Sequence, residues 1–156
     1  MVGDAVAGAN AIGDGTLVFE IERLLSAGIG ITAIALDQTP DAEELTLAQW
    51  RALVVAAGNE GVRIGELATR LGLSVPAASR LVRRVERRGF VSTARAEDDR
   101  RATNVTLTAA GRRTVDAVVG RRRRLIGLAL ERSQGGPSER AVGLLHELAG
   151  QLGDYG

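Results

Sequence analysis

Apolar residues recur with helical spacing in six segments of the chain, and shorter segments between them favour strands. The clearest helix is predicted to begin after Ser74, a favourable N-cap, and to end at Gly89. At about 100° per residue, its apolar face comprises Ala78, Leu81, Val82 and Val85. Its opposite face comprises Pro76, Arg80, Arg83 and Arg87, with Ala77, Ser79 and Arg84 beside it. One face is therefore suited to a core, and the other presents arginines outward.

The elements around this helix follow a recognisable order. A shorter helix with Leu67, Ala68 and Leu71 in helical spacing precedes it, and a turn at residues 72–73 joins the two. Residues 90–93 and 103–107 favour strands, residues 62–63 a short third strand, and the polar sequence ARAEDDRRA joins the two longer strands. This order predicts a winged helix-turn-helix, which is a DNA-binding module.

The arginines on the second helix suit contact with DNA. Small residues near its N-terminus would let it enter a major groove, where arginines reach base edges or phosphates. In the hairpin, Asp98 and Asp99 adjoin Arg100 and Arg101, and a carboxylate can hold a guanidinium towards a minor groove. The alternatives are a solvated arginine face and a solvated hairpin tip.

The charge distribution supports a local basic surface. The net charge is only +1, and all 20 basic residues are arginine. Between residues 80 and 101, eight arginines stand against four acids. A basic patch on a nearly neutral chain is typical of proteins that bind a defined DNA site.

Four short motifs resemble the signature of MarR-type transcriptional regulators: LSVPAASRLV at 73–82, ERRGFV at 86–91, DRR at 99–101 and LTAAG at 107–111. The resemblance covers roughly residues 45–111 and implies a homodimer that binds a pseudo-palindromic site, usually to repress. By position, it implies recognition-helix contacts at Ser74, Pro76, Ala77, Ser79, Arg80 and Arg84, and a wing pair of Asp99 and Arg101. From the same basic surface we add as candidate DNA contacts Arg83 and Arg95.

The expected fold is mainly α with a small antiparallel β wing. We expect a flexible N-terminal arm at 1–14, a helical dimerisation region at 15–44 and 108–156, and the winged helix-turn-helix at 45–107, together forming one compact domain. The apolar stripes of the first, fifth and sixth helices exceed what a small winged domain can cover. Packing against a second copy would bury them.

The helix after the capping box of Thr46 and Gln49 carries candidate effector-binding residues. The resemblance implies a ligand crevice between this helix and the dimerisation helices, for an aromatic or anionic small molecule. Trp50, Arg51 and Phe19 are the candidate lining residues. The alternatives are core positions for the two aromatic residues and a surface ion pair for Arg51.

Other functions find little support in the sequence. There is no cysteine and one histidine, and we find no phosphate-binding loop or metal-ligand cluster, so we expect neither an enzyme nor a cofactor or metal. The most apolar run, residues 24–36, is too short for a membrane span, and no secretory signal is visible, so we expect a cytoplasmic protein. The alternative function is a winged-helix module that binds protein. The run at residues 121–124 fits either DNA-backbone contact or pairing with acids.

Overall fold

The computed structural model describes residues 7–96, 102–133, 136 and 138–153, with side chains from residue 15 onward. Its elements are α1 (Ala7–Asp37), α2 (Leu47–Gly58), β1 (Val62–Arg63), α3 (Ile64–Leu71), α4 (Val75–Arg87), β2 (Val91–Arg95), β3 (Thr103–Leu107), α5 (Ala109–Glu131) and α6 (Glu139–Gly153). The predicted fold class, mainly helical with a small antiparallel wing, is confirmed.

The winged region, residues 45–107, is built around one core. Its three strands pair antiparallel in the order β1-β3-β2, so Val105 of β3 lies opposite Val62 on one side and Thr93 on the other. Leu53 of α2 and Leu67 of α3 are fully buried beneath the sheet and helices. The helices and the wing therefore share one hydrophobic centre.

Two glycines shape the ends of the helix-turn-helix. Gly72 follows α3 with a positive φ of 65°, and Gly89 lies two residues beyond α4 with a φ of 77°. Residues other than glycine rarely adopt this left-handed conformation, so these positions end each helix sharply.

A close approach ties α5 to the winged region. Thr108 caps α5 by accepting a hydrogen bond from the Gly111 amide (3.0 Å), and its own hydroxyl donates to the Gly89 carbonyl (2.6 Å). A Cβ added at Gly111 would lie 2.0 Å from the Phe90 carbonyl oxygen. The start of α5 is thus fixed directly against the end of the helix-turn-helix.

The outer helices α1, α5 and α6 are much less buried. The C-terminal part of α1 packs on α5 through Ala35 and Leu36, and α5 contributes Val115 and Val118 to the core. Large apolar side chains elsewhere on these helices are exposed, namely Leu17, Val18, Phe19, Leu24, Leu25, Ile29, Ile34, Ile126, Leu128, Leu130, Val142, Leu144, Leu145 and Leu152. None of the described helices is long and apolar enough to cross a membrane.

The N-terminal boundary differs from the expected one. Helix α1 begins at Ala7, so residues 7–14 continue the helix that was expected only from residue 15 onward. Glycine and alanine leave no apolar stripe there for a sequence pattern to detect. The flexibility expected of residues 1–14 stays a prediction.

Candidate nucleic-acid interface and ligand cavity

Helix α4 presents the arginine face that its periodicity predicts. Ala78, Val82 and Val85 are buried against the core. On the outside, the exposed residues are Pro76, Arg80, Arg83, Arg84 and Arg87, while Ala77 and Ser79 are half-buried beside them. Ser74 occupies the N-cap position, but its side chain makes no capping hydrogen bond.

The guanidinium groups of this face are available for an anionic partner. A shallow groove of about 400 Å³ is lined by Arg80, Arg83, Arg84, Glu86 and Arg87. Glu86 is the acid of this set, and its Oε1 accepts bonds from the amide (2.9 Å) and hydroxyl (2.7 Å) of Thr93. Within the described part of the chain, no carboxylate lies within ion-pair distance of the four arginines. The described residues therefore leave the charge of these four arginines unpaired.

Arg88 differs from its neighbours on the helix. It lies 3.7 Å from a carboxylate oxygen of Glu44, and its guanidinium stands over the Phe90 ring at 5.4 Å from the centroid. This side chain packs against the body of the winged region. The sequence count of eight clustered arginines therefore includes at least one whose contacts are internal.

One further candidate contact lies on the wing. Arg95 is exposed at the end of β2, opposite Thr103 of β3. Asp99 and Arg101, the expected wing pair, lie outside the described residues. Of the candidate DNA contacts, the structure thus places those of α4 on one face and Arg95 on strand β2.

A second feature is an open cavity of about 420 Å³ between α1, α2 and α5, nearly as open to solvent as the groove on α4. Its lining comprises Leu24, Leu25, Gly28, Ile29, Thr32, Leu47, Trp50, Arg51 and Arg122. Trp50 is almost fully buried, so it belongs to the core and to the cavity wall at once. The expected pair of Trp50 and Arg51 is brought together here.

Phe19 does not join them. It lies nearer the N-terminus of α1, 59% exposed, with the Arg23 guanidinium 6.0 Å from its ring centroid. The helical spacing between Phe19 and the cavity-lining Leu24 and Leu25 puts it more than a turn away.

Sequence reasoning missed Arg122. This half-buried side chain of α5 lines the cavity, and its Nε is buried without a hydrogen-bond partner. Its neighbour Arg121 instead donates to the Gln38 side chain at the end of α1 (3.2 Å), whereas Arg123 and Arg124 are exposed. The run of four arginines indicated charge, but only the packing of α5 separates their roles.

The described residues contain no group of three or more His, Cys, Asp or Glu side chains placed to hold a metal ion. His146, the single histidine of the sequence, is exposed on α6.

Residues 44–102, which contain the helix-turn-helix and most of the wing, match the MarR family. No curated protein sequence is significantly similar to the chain. Among solved structures, Rv1404 from Mycobacterium tuberculosis is similar at 27% identity with a TM-score of 0.76, over 93% of this chain and 94% of that one.

Two further structures link the fold to ligands. CouR from Rhodococcus jostii RHA1, bound to p-coumaroyl-CoA, is 25% identical with a TM-score of 0.68, over 88% of this chain and 91% of its own. S. aureus MepR in complex with DNA shares the fold at 20% identity and a TM-score of 0.57, over 85% of this chain and 98% of its own.

Proposed function

We propose that this chain is a MarR-type regulator, a homodimeric repressor that binds a pseudo-palindromic DNA site, because residues 44–102 match the MarR family of regulators and the fold is similar to that of Rv1404. The observation that carries the proposal is the outward face of α4, where Arg80, Arg83 and Arg84 are exposed and have no acidic partner in the described chain. A helix with small residues at its start and free arginines beyond them has the chemistry of a major-groove recognition helix.

The exposed apolar surface supports a dimer. On the outer helices, Leu25, Leu128 and Leu145 are about half exposed. A second copy packed on these helices buries the apolar surface and places two recognition helices about one DNA turn apart, ~34–36 Å.

The contacts divide into two kinds. Arg80 and Ser79 lie near the start of α4, from which a recognition helix contacts base edges, while Arg84 and Arg87 follow towards its C-terminus and suit phosphates. On the wing, Arg95 suits the backbone, and Arg101 braced by Asp99 would enter the minor groove. Phosphate contacts supply affinity, and base contacts supply the sequence preference.

The cavity supports a small-molecule effector. Its walls are mainly apolar, Trp50 offers an aromatic surface, and Arg51 and Arg122 supply two cations. A buried guanidinium Nε without a partner favours a ligand that brings an acceptor. An organic anion with an apolar body would contact the apolar walls and pair with the two arginines. CouR, similar in fold, was solved with a ligand that has an aromatic acyl group.

Selection of binding sites from fragmented genomic DNA, followed by fluorescence anisotropy on the recovered site, tests the DNA-binding part. We expect Arg80→Ala to weaken binding by about 1–3 kcal/mol and to relax the preference at one position of each half-site. Arg23→Ala is the matched control, because Arg23 lies on α1, outside the recognition helix, and pairs with Glu20.

A wild-type protein that enriches no sequence, or binds all sequences equally, would contradict this function and favour a protein-binding winged helix. Repression itself is tested with a reporter placed behind the recovered site. Expression should rise when Arg80→Ala replaces the wild type, whereas a fall would indicate an activator.

A further inference from the structure

Arg51 contacts both the cavity and helix α3. It lines the cavity between α1, α2 and α5, and its Nη2 donates a hydrogen bond to the Arg70 carbonyl oxygen of α3 at 3.2 Å. Arg70 lies in the last turn of α3, directly before the turn that leads into α4. One side chain thus connects the cavity with the support of the recognition helix.

The bond from Arg51 completes the C-terminus of α3. The last carbonyls of a helix have no partner within the helix. Here the Gly72 amide donates to the Thr69 carbonyl (3.1 Å) and the Leu73 amide to the Ala68 carbonyl (2.9 Å). The Arg70 carbonyl instead accepts its hydrogen bond from the Arg51 guanidinium. The Arg70 side chain is also held, by Glu66 at 2.8 Å. The end of α3 therefore accepts a solvent-exposed hydrogen bond from a donor of the cavity wall.

We infer that Arg51 is a coupling residue: an organic anion in the cavity draws its guanidinium away from the Arg70 carbonyl and loosens the support of α4. The inference rests on the proposed function and specifies its regulation. A carboxylate is a stronger acceptor for a guanidinium than a peptide carbonyl, because both partners are charged. The ligand then binds best to the conformation in which α3 has lost this bond.

Arg122 has a different role in the same event. Its Nε has no acceptor among the described residues, so it attracts the anion without giving up a bond. Arg122 therefore contributes to ligand affinity, whereas Arg51 converts binding into a change at α3. Loss of one hydrogen bond to a charged donor is expected to weaken DNA binding about 5- to 50-fold, within the usual range of coupling between sites.

The test uses 2-naphthoate as the probe, with the uncharged 2-naphthamide of nearly equal size as its control. DNA affinity and amide exchange in residues 66–73 are measured with and without each compound. In the wild type, 2-naphthoate should lower DNA affinity about 5- to 50-fold and speed exchange in this segment, while 2-naphthamide should change neither.

The variants separate the two arginines. Arg51→Ala should show fast exchange in α3 and weak DNA binding without ligand, and 2-naphthoate should change neither further. Arg122→Ala should need about tenfold more 2-naphthoate for the full response. Arg112→Ala is the matched control: its Nη1 also donates to a carbonyl, that of Ala57 (3.3 Å), but it does not line the cavity.

The outcomes distinguish the coupling role of Arg51 from the proposed function. The inference is overturned if 2-naphthoate leaves α3 exchange unchanged in the wild type, or if Arg51→Ala still responds as the wild type does. Because exchange is measured without DNA, it tests the coupling even where no DNA site is recovered. A chain that binds its site specifically but shows no ligand effect on α3 retains the proposed function and loses the coupling role of Arg51.

Discussion

The winged region and the outer helices carry similar apolar patterns but differ in what covers them. In the winged region, Leu53 and Leu67 are fully buried within one chain. On the outer helices, Leu25 and Leu145 lie on comparable stripes, and each is more than half exposed. An amphipathic pattern predicts that a face will be covered, but it does not state which partner covers it.

The difference follows from what each region has to pack against. Helices α2, α3 and α4 enclose one another and the three-stranded sheet, so their apolar faces meet within the chain. Helix α6 has no comparable partner: all its described side chains are exposed except the half-buried Leu148. The winged region is thus complete alone, whereas the outer helices need a further surface.

The largest expected effect comes from placing a charge on the exposed stripe. Leu145→Glu puts a carboxylate into the surface that a second copy would bury, and an unpaired buried charge is strongly unfavourable. We expect a monomer by sedimentation velocity and a loss of DNA affinity of about 100-fold or more, because two half-sites are no longer bound together.

Gln151→Glu, which adds the same charge at an exposed polar position of α6, should leave a dimer. A dimeric Leu145→Glu protein with normal DNA affinity would show that another surface joins the two copies.

A smaller effect tests the junction between the two regions. Gly111→Ala forces a methyl group to 2.0 Å from the Phe90 carbonyl oxygen, so the start of α5 must shift. We expect a loss of about 2–3 kcal/mol in the free energy of unfolding. Gly120→Ala, on the same helix with no atom near its added Cβ, should instead stabilise by about 1 kcal/mol. Urea unfolding of both variants measures the contrast, and equal effects would mean that α5 is not held at Gly111.

Much of the winged region was predictable because its signals are local. The capping box of Thr46 and Gln49 is formed within three residues, and both of its hydrogen bonds are present. The face of α4 also follows from periodicity alone, since one side has apolar residues and the other arginines.

The rest depends on contacts between distant segments. Phe19 was expected at the cavity but lies away from it, and Arg122, which lines it, was one of four arginines without a distinguishing pattern. The close approach of Gly111 to Phe90 joins residues 21 positions apart. Nothing in a local pattern specifies such distances, so only the packed chain reveals them.

The smallest effect distinguishes a cap from a DNA contact. The Thr46 hydroxyl accepts a bond from the Gln49 amide (3.2 Å), whereas the Ser74 side chain makes no such bond at the start of α4. Thr46→Ala should therefore lower the free energy of unfolding by about 1 kcal/mol. Ser74→Ala should change it by less than about 0.5 kcal/mol, as a surface substitution without a structural role does.

DNA binding should show the reverse order. If Ser74 contacts DNA, Ser74→Ala weakens binding about 2- to 10-fold through one lost hydrogen bond. Thr46→Ala, measured where it is fully folded, should bind like the wild type because α2 lies outside the recognition surface. A Ser74→Ala protein that loses stability but keeps its DNA affinity would show that Ser74 caps α4 and does not contact DNA. The contact surface of α4 would then begin at Pro76, beyond the cap.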